Sequence, residues 1–568
     1  MAPSAPEVSP PIPGNSTSST AKTPIPESEI RDERLVIDVI DEIAAQHPDR
    51  VWASLPVDDT NFGTGFHDVT YRALANAIDT AAFWLDSVFR DDVDDNDKGL
   101  FAYYGDRDFR QPILAAAAAK TGRQYQFISP FSAESAKLGL INHTGCNVWI
   151  HSETGRELAQ SLAKSRPGLR VIECPTQAEL LQSRPERQYQ SRITWEEWKD
   201  KVWVIFHTTG SSGNPKPVPW THKAFRSTDR LLRFPDFAES KVELFRNKRF
   251  FQPLACVHGL GLIVILDIVP AMNAPMVIGP RHRLPTMDDI RLIFEHGRLD
   301  GMLCTPVFIK EIAEEEDLLP KLRALDFVYY AGAKADRVWG DLLCEHTSVG
   351  PIFGTTEMGH VPLRDIPGPD WHWYSFYDWE GLAFEEVKPG LYEMIVNRLP
   401  PGSKNTWQHA FSSFPHLSQY RTRDLWIRHP ERPDLYAYHG RSDDFVMLTC
   451  GDGVDAPYIQ SKLEAACPAI KLAMVGGHGE DHPWLLIELR ESILRGGGSG
   501  DLGWVLQFMA VLEELNSTLP YITRISPKRI IIAAPDRPLV RTVKQALDRN
   551  KTMELYEKEI EALDKLVA

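Results

Sequence analysis

The feature that most restricts this chain is a run of small residues placed directly after an apolar segment. Residues 203–206 read as a strand, Thr208-Thr209-Gly210-Ser211-Ser212-Gly213 follows, and the run leads into Asn214-Pro215-Lys216. Glycines and short hydroxyl side chains let consecutive backbone N–H groups approach the oxygens of one anion, and Ser and Thr add donors. Lys216 brings one compact positive charge. The loop therefore points to phosphate. It is not a Walker loop, because the Gly-x-x-x-x-Gly-Lys-Ser/Thr order is absent.

The segments around the loop alternate between helix and strand. Residues 71–88 carry Leu74, Ala77, Ile78, Ala81, Ala82 and Leu85 at helical spacing. Residues 99–105 read as a strand, 112–120 as an Ala-rich helix and 124–129 as a strand, which implies parallel pairing through right-handed crossovers. Further buried strands are read at 203–207, 276–279, 302–305, 327–330 and 351–353. The longest apolar stretch, 260–272, is interrupted by Asp267 and is shorter than the about 20 residues that a bilayer span needs. It reads as a buried helix or strand. Residues 179–201 are polar and read as a surface excursion. At 568 residues the chain exceeds the roughly 250–300 that one core supports, so at least two domains are expected. The character changes near residue 435. Beyond it, strands are read at 445–448, 472–475, 484–488 and 529–532, and helices at 456–466, 502–515 and 551–567. The fold class is α/β, with a large core of parallel-sheet subdomains and a small α+β domain after it.

Composition excludes several roles. The formal net charge is −16, so nothing attracts the chain in general to nucleic acid or an anionic membrane. Seven widely spaced cysteines without a Cys-x-x-Cys pair argue against a disulfide framework and a zinc site. A reducing, cytoplasmic setting is the simplest expectation. Residues 1–30 lack a signal peptide's apolar core, are rich in Pro, Ser and Thr, and read as a disordered tail. The run Gly496-Gly497-Gly498-Ser499-Gly500 reads as a surface loop, since no Gly-Lys-Ser/Thr follows.

Five more motifs follow in order: Tyr330-Ala331-Gly332-Ala333-Lys334-Ala335, Gly354-Thr355-Thr356-Glu357-Met358-Gly359, Tyr420-Arg421-Thr422-Arg423-Asp424-Leu425, Gly440-Arg441-Ser442-Asp443-Asp444 and Arg541-Thr542-Val543-Lys544. Each is weak alone. Together with the loop, in this order and over nearly the whole chain, they resemble the adenylate-forming superfamily of acyl-CoA synthetases, luciferases and nonribosomal peptide synthetase (NRPS) adenylation domains. The resemblance implies an ATP-dependent enzyme that converts a carboxylic acid to an acyl-adenylate. It implies that Thr208, Thr209, Gly210, Ser211, Ser212, Gly213 and Lys216 handle phosphates, as do Gly354 and Thr355. Gly332 and Ala333 would lie against adenine. Thr356 would contact the α-phosphate and Glu357 would coordinate Mg²⁺; a carboxylate beside phosphate needs a cation between them. Asp424 would accept both ribose hydroxyls, for which an ionised carboxylate has lone pairs enough. Arg441 would reach ribose or phosphate. Lys544 would bridge the substrate carboxylate and the α-phosphate. His258, Tyr330, Ala331 and Met358 would line the acyl pocket, and His258 would also count with Lys544, Thr356 and Glu357 among the catalytic residues by lining or gating the carboxylate site. The same resemblance divides the chain into a core over 31–438, a hinge over 439–443 centred on Asp443, and a mobile lid over 444–568.

Pro215-Lys216-Pro217-Val218, Phe127-Ile128-Ser129-Pro130, His258-Gly259-Leu260-Gly261-Leu262 and the Arg-Thr-x-Lys ending resemble fungal NRPS-like carboxylic acid reductases of adenylation–carrier–reductase type. That branch implies a phosphopantetheine thiol of a carrier domain as acyl acceptor. No carrier or Rossmann motif follows residue 550, so an excised adenylation domain or a stand-alone relative is expected. Two residues depart from the branch: Gln460 stands where Glu is usual, and Cys450 where Asn is usual. An acyl-CoA ligase using free CoA and a non-catalytic nucleotide-binding scaffold are the alternatives. An aryl acid, a small amino acid or a betaine is expected as substrate. Trp-His-Trp-Tyr-Ser-Phe-Tyr-Asp-Trp at 371–379 would suit a cage for a quaternary ammonium, at about 0.5–2 kcal/mol per cation–π contact. The competing reading is a strand with aromatics on one face.

Overall fold

The computed structural model describes residues 33–90, 99–130, 132–209, 215–232, 234–256, 258–403, 408–442, 446–448, 453–478, 480–491, 493, 503–519, 523–542 and 547–564. The expected tail at 1–30, the glycine run 496–500, Gly210, Ser211, Ser212, Gly213, Asp443, Cys450 and Lys544 lie outside the described residues.

The alternation of strand and helix produces two largely parallel sheets. One has six strands in the order Arg170–Glu173, Val148–His151, Phe101–Tyr104, Tyr125–Phe127, Val202–Thr209 and Pro215–Thr221. Its first five strands pair in parallel, and the last returns antiparallel. The other has seven strands, ordered Ser348–Pro351, Phe327–Tyr330, Gly301–Cys304, Phe250–Phe251, Met276–Val277, Val51–Pro56 and Phe66–Thr70. Only its last pair is antiparallel. Helices Tyr71–Val88 and Arg110–Lys120 pack beside these sheets, and every residue of the second is buried. Alanine makes that close packing possible. The two cations enclosed there are paired: Lys120 with Asp79 at 2.6 Å and Asp41 at 2.7 Å, and Arg110 with Asp106 at 2.6 Å and Asp108 at 2.8 Å.

The expected α/β core with parallel sheets is present, and one further unit stands beside them; three other sequence-based expectations need correction. A six-stranded antiparallel sheet of Leu363–Arg364, Tyr374–Phe376, Leu435–Arg441, Gln419–Arg428, Leu391–Asn397 and Leu382–Lys388 forms a third unit. Residues 351–353 are not one strand: Ile352 separates Ser348–Pro351 from Phe353–Thr355, which opens a hairpin with Gly359–Val361. The polar segment 179–201 is anchored, because Tyr189, Ile193 and Trp195 are buried against the core. The final helix is two, Arg549–Leu555 and Glu557–Asp564.

The stretch 260–272 is helical, and it widens to a π-turn over Val264–Ile268. Asp267 sits on that turn, fully buried. It accepts 2.8 Å from Arg226, itself fully buried, and 3.1 Å from the Thr228 N–H. A buried carboxylate survives only with such partners.

After residue 446, Ile470–Gly476, Trp484–Leu489 and Ile530–Ile532 make a three-stranded sheet, antiparallel then parallel. Helices Ala456–Ala466 and Gly503–Thr518 cover it. Gln460 is used inside this domain: it accepts from Val475 N–H at 3.0 Å and from Arg549 at 2.8 Å. Charges dominate the seam with the core. Arg490 lies 3.5 Å from Glu314, and the Glu464 carboxyl feels Lys310 and Arg541. Burial outweighs those cations and pushes Glu464 from the usual 4.5 up to about 7.

Two outcomes follow from these buried charges. Arg226 also pairs with buried Asp229, so Asp267→Ala removes one of its two carboxylates and should lower stability by about 1–3 kcal/mol, less than the loss of a sole partner. Urea titration of this variant beside Asp229→Ala and the double variant, which leaves Arg226 buried with neither carboxylate and should cost more than the two single changes summed, measures this. Glu464 binds its proton more tightly folded than unfolded, so its contribution is fully present below pH 4.5 and is lost as pH rises through about 7. Glu464→Gln should therefore flatten the decline in unfolding midpoint between pH 5 and 8.

Candidate active site

Strands Val202–Thr209 and Pro215–Thr221 flank the small-residue loop, with Thr208 paired to Lys216, whose side chain is exposed. His207 is buried. Its Nε2 accepts the Ser129 N–H at 3.1 Å, and burial lowers its pKa to about 4, so it is a neutral acceptor that holds the neighbouring strand end. Four residues beyond Lys216, the Trp220 indole N–H donates to the Thr356 carbonyl at 2.8 Å. That bond ties the loop-bearing hairpin to the second motif.

Thr356 and Glu357 occupy the turn between Phe353–Thr355 and Gly359–Val361. Thr355 Oγ1 accepts the Met358 N–H at 3.2 Å and closes the turn. Gly354 is required, since a Cβ there would stand 2.4 Å from the Gly359 carbonyl. Thr356 and Glu357 remain half-buried at the turn, while Met358 is buried among Phe353, Val361 and Trp426.

Asp424 is positioned by a bulge. Leu425 pairs with Glu393 and Arg421 with Ile395, so three residues, 422 to 424, face Met394 alone. Arg423 takes a left-handed φ of 64° at the bulge. Thr422 Oγ1 donates to the Met394 carbonyl at 2.9 Å and accepts the Asp424 N–H at 3.0 Å. Asp424 is thereby buried and registers opposite Arg441, whose guanidinium lies 3.6 Å from it. The phenol of Tyr420 feels Glu357, Asp424, Arg441 and Arg423 together, and burial with the two carboxylates raises its pKa. The second, third and fourth motifs thus meet around one side chain.

A cavity of about 30 Å³ opens at the carboxyl ends of Phe250–Phe251, Gly301–Cys304 and Phe327–Tyr330. Ligands of α/β sheets bind outside such strand ends. His258, Ala331 and Gly332 line it. His258 Nδ1 accepts the Leu260 N–H at 3.1 Å, which leaves the proton on Nε2. A Cβ on Gly261 would lie 3.0 Å from the Cys256 nitrogen, so only glycine permits this tight return. Tyr330 does not line the cavity: its ring packs 5.9 Å from Trp371, and its hydroxyl bonds that of Tyr374. Ala333 and Met358 are not among the lining residues either.

The aromatic segment 371–379 does not form a cage. Tyr374 and Phe376 pack edge-on against Trp426 at 4.9 and 5.3 Å, and Trp379 stacks on Phe234 at 4.2 Å. Trp371 is wholly buried against a different cluster. The rings are therefore core on more than one face. Among the described residues no group of three or more His, Cys, Asp or Glu could hold a metal ion, and no helix is long and apolar enough to cross a membrane.

The pattern described as AMP-binding enzyme matches residues 40–375, and that described as AMP-binding enzyme C-terminal domain matches 443–565. The chain belongs to the AMP-binding enzyme family. It is an adenylate-forming, carboxylate-activating ligase of the ANL superfamily. It is 28% identical over 93% of its length to an isocyanide synthase–NRPS hybrid of Aspergillus fumigatus, covering 33% of that protein. It is 26% identical over 93% of its length to a carboxylic acid reductase of Neurospora crassa, covering 50% of it. This adenylate-forming chain therefore spans a third to a half of these relatives. Its fold matches the anthranilate CoA ligase AuaEII in complex with anthranoyl-AMP, with a TM-score of 0.68 at 15% identity, covering 93% of this chain and 98% of that one. ATP-bound MatB from Rhodopseudomonas palustris matches with a TM-score of 0.65 at 15% identity, covering 92% and 99%.

Sequence reasoning gave no role to Trp220, Gln252 and Thr305, nor to Tyr420 within its motif. Trp220 carried a faint signal, an aromatic in the alternating strand after the loop. Gln252 and Thr305 each follow an apolar strand directly. Trp220→Phe keeps the ring but leaves the Thr356 carbonyl unpaired. The expected cost is about 1–1.5 kcal/mol, a roughly tenfold loss in kcat/KM for ATP–pyrophosphate exchange, with little change in unfolding midpoint.

Proposed function

We propose that this chain adenylates a carboxylic acid and passes the acyl group to a phosphopantetheine thiol of a carrier domain, for reduction by a further domain. The observation that supports it best is the meeting of Glu357, Asp424 and Arg441 around Tyr420, beside a phosphate-type loop hairpin pinned to Thr356. The names of the fungal relatives, carboxylic acid reductase and adenylate-forming reductase, favour the carrier over free CoA.

Asp424 accepts from the ribose hydroxyls, and Arg441 lies against its carboxylate on the neighbouring strand. The loop donors and Lys216 hold the β- and γ-phosphates. A substrate carboxylate oxygen attacks the α-phosphorus, the bond to pyrophosphate breaks, and a mixed anhydride remains. Lys544 bridges carboxylate and α-phosphate in that step. The protein contributes position and charge rather than covalent chemistry. Glu357 is a fitting ligand for Mg²⁺, which is commonly held by one or two carboxylates plus substrate phosphates and supplies charge neutralisation between them. The lid over 444–568 then turns about Asp443 and withdraws Lys544, and the carrier thiol attacks the anhydride carbonyl with AMP as leaving group.

Lys544→Ala should lower ATP–pyrophosphate exchange by at least 10²-fold with unchanged thermal unfolding. Exchange at the wild-type rate would overturn the assigned role. Thioester formation on an excised carrier domain, compared with free CoA, tests the acceptor.

A further inference from the structure

The cavity at the strand ends contains two buried polar groups without partners among the described residues. Gln252 is 3% exposed, and its Oε1 has no hydrogen bond. Thr305 is 5% exposed, and its Oγ1 has none either. Thr305 is the N-cap of Pro306–Ala313, the position where a threonine hydroxyl normally accepts a backbone N–H of the first turn, yet it makes no such bond. Both residues follow neighbouring parallel strands whose register pairs Gly301 with Phe250 and Met302 with Phe251. Buried polar groups are nearly always satisfied, so two in one cavity specify what should fill it.

Three further properties narrow the occupant. Among the described residues no Asp, Glu, Lys or Arg lines the cavity, and burial holds the Cys304 thiol protonated. An α-ammonium would enter without a counter-charge. A hydrocarbon chain would leave both polar groups unpaired. The volume of about 30 Å³ is far below the about 150 Å³ that accepts a benzene ring in an apolar cavity.

We propose that Gln252 and Thr305 determine acyl specificity, and that the acid is a short aliphatic hydroxy acid whose hydroxyl donates to Gln252 Oε1 and accepts from Thr305 Oγ1. This rests on the adenylation reading above. It departs from the aryl acid, amino acid or betaine that the sequence led us to expect.

The full chain is tested in ATP–pyrophosphate exchange with glycolate, lactate and 3-hydroxybutyrate. The matched arms are the unsubstituted acids of equal length, glycine and alanine, and benzoate with salicylate. At least one hydroxy acid should exceed its unsubstituted and amino counterparts, and both aryl acids, tenfold or more in kcat/KM. In Gln252→Leu and Thr305→Val the ratio of hydroxy to unsubstituted acid should fall at least tenfold. Exchange in which an unsubstituted, amino or aryl acid equals or exceeds every hydroxy acid overturns the inference and leaves adenylation standing. Exchange with none of the acids overturns the inference and leaves adenylation of another acid standing. The wild-type comparison decides if the variants fail to fold.

Discussion

One hydrogen bond holds the candidate site together, that from the Trp220 indole to the Thr356 carbonyl. The strands that flank the phosphate-type loop belong to the sheet that ends in Pro215–Thr221, whereas Thr356 and Glu357 belong to a small hairpin beyond the seven-stranded sheet. Among the described residues no strand ladder joins the two. Trp220 is almost wholly buried, and its ring also packs on Phe206, Phe225 and His409. Its position is therefore fixed by packing before its N–H is used. A rigid donor loses little entropy when it captures a carbonyl, so the turn bearing Glu357 is set by the hairpin bearing Lys216.

The remaining polar groups reach the same place by breaking regular pairing. The bulge at 422–424 turns Asp424 inward, at the cost of a left-handed Arg423 that Glu393 supports through its N–H at 3.3 Å. Cys256 is likewise left-handed, at φ 58°, in the loop that leads to His258. Such conformations persist where surrounding contacts over-determine them, and both stand beside predicted ligand-facing groups.

What was legible in the sequence follows from this. Period and composition located the parallel strands and the helices Tyr71–Val88 and Ala456–Ala466, because those elements satisfy local rules. The antiparallel sheet stayed hidden: its aromatics, Tyr374, Phe376 and Trp426, pack into one core from strands distant in sequence, and single-strand periodicity cannot show that. Motif order pointed to Asp424 and Arg441 but not to their direct opposition, which depends on a bulge. Tyr330 was assigned to the acyl pocket by its place in a motif, yet the alternation of a buried strand turns its ring toward Trp371. Gln252 and Thr305 belong to no motif; only the count of hydrogen bonds singles them out.

The seam between core and lid has a different character from either interior. Among the described residues each apolar cluster lies wholly on one side of residue 443. Among the described residues the polar contacts that cross include Arg490 with Glu314 and His439 with Asp455, while Lys310 is drawn to Glu464 but repelled by Arg541, and Lys334 is drawn to Asp455 but repelled by Lys462. Attraction across the seam is offset by like-charge repulsion and by the cost of burying Glu464, Lys310 and Lys334, so it does not commit the two domains strongly to one orientation. A large apolar interface would lock one orientation. The proposed reaction, in which Lys544 is brought to an α-phosphate and later removed, would need two orientations of similar free energy. A charged seam between two separately closed cores meets that requirement.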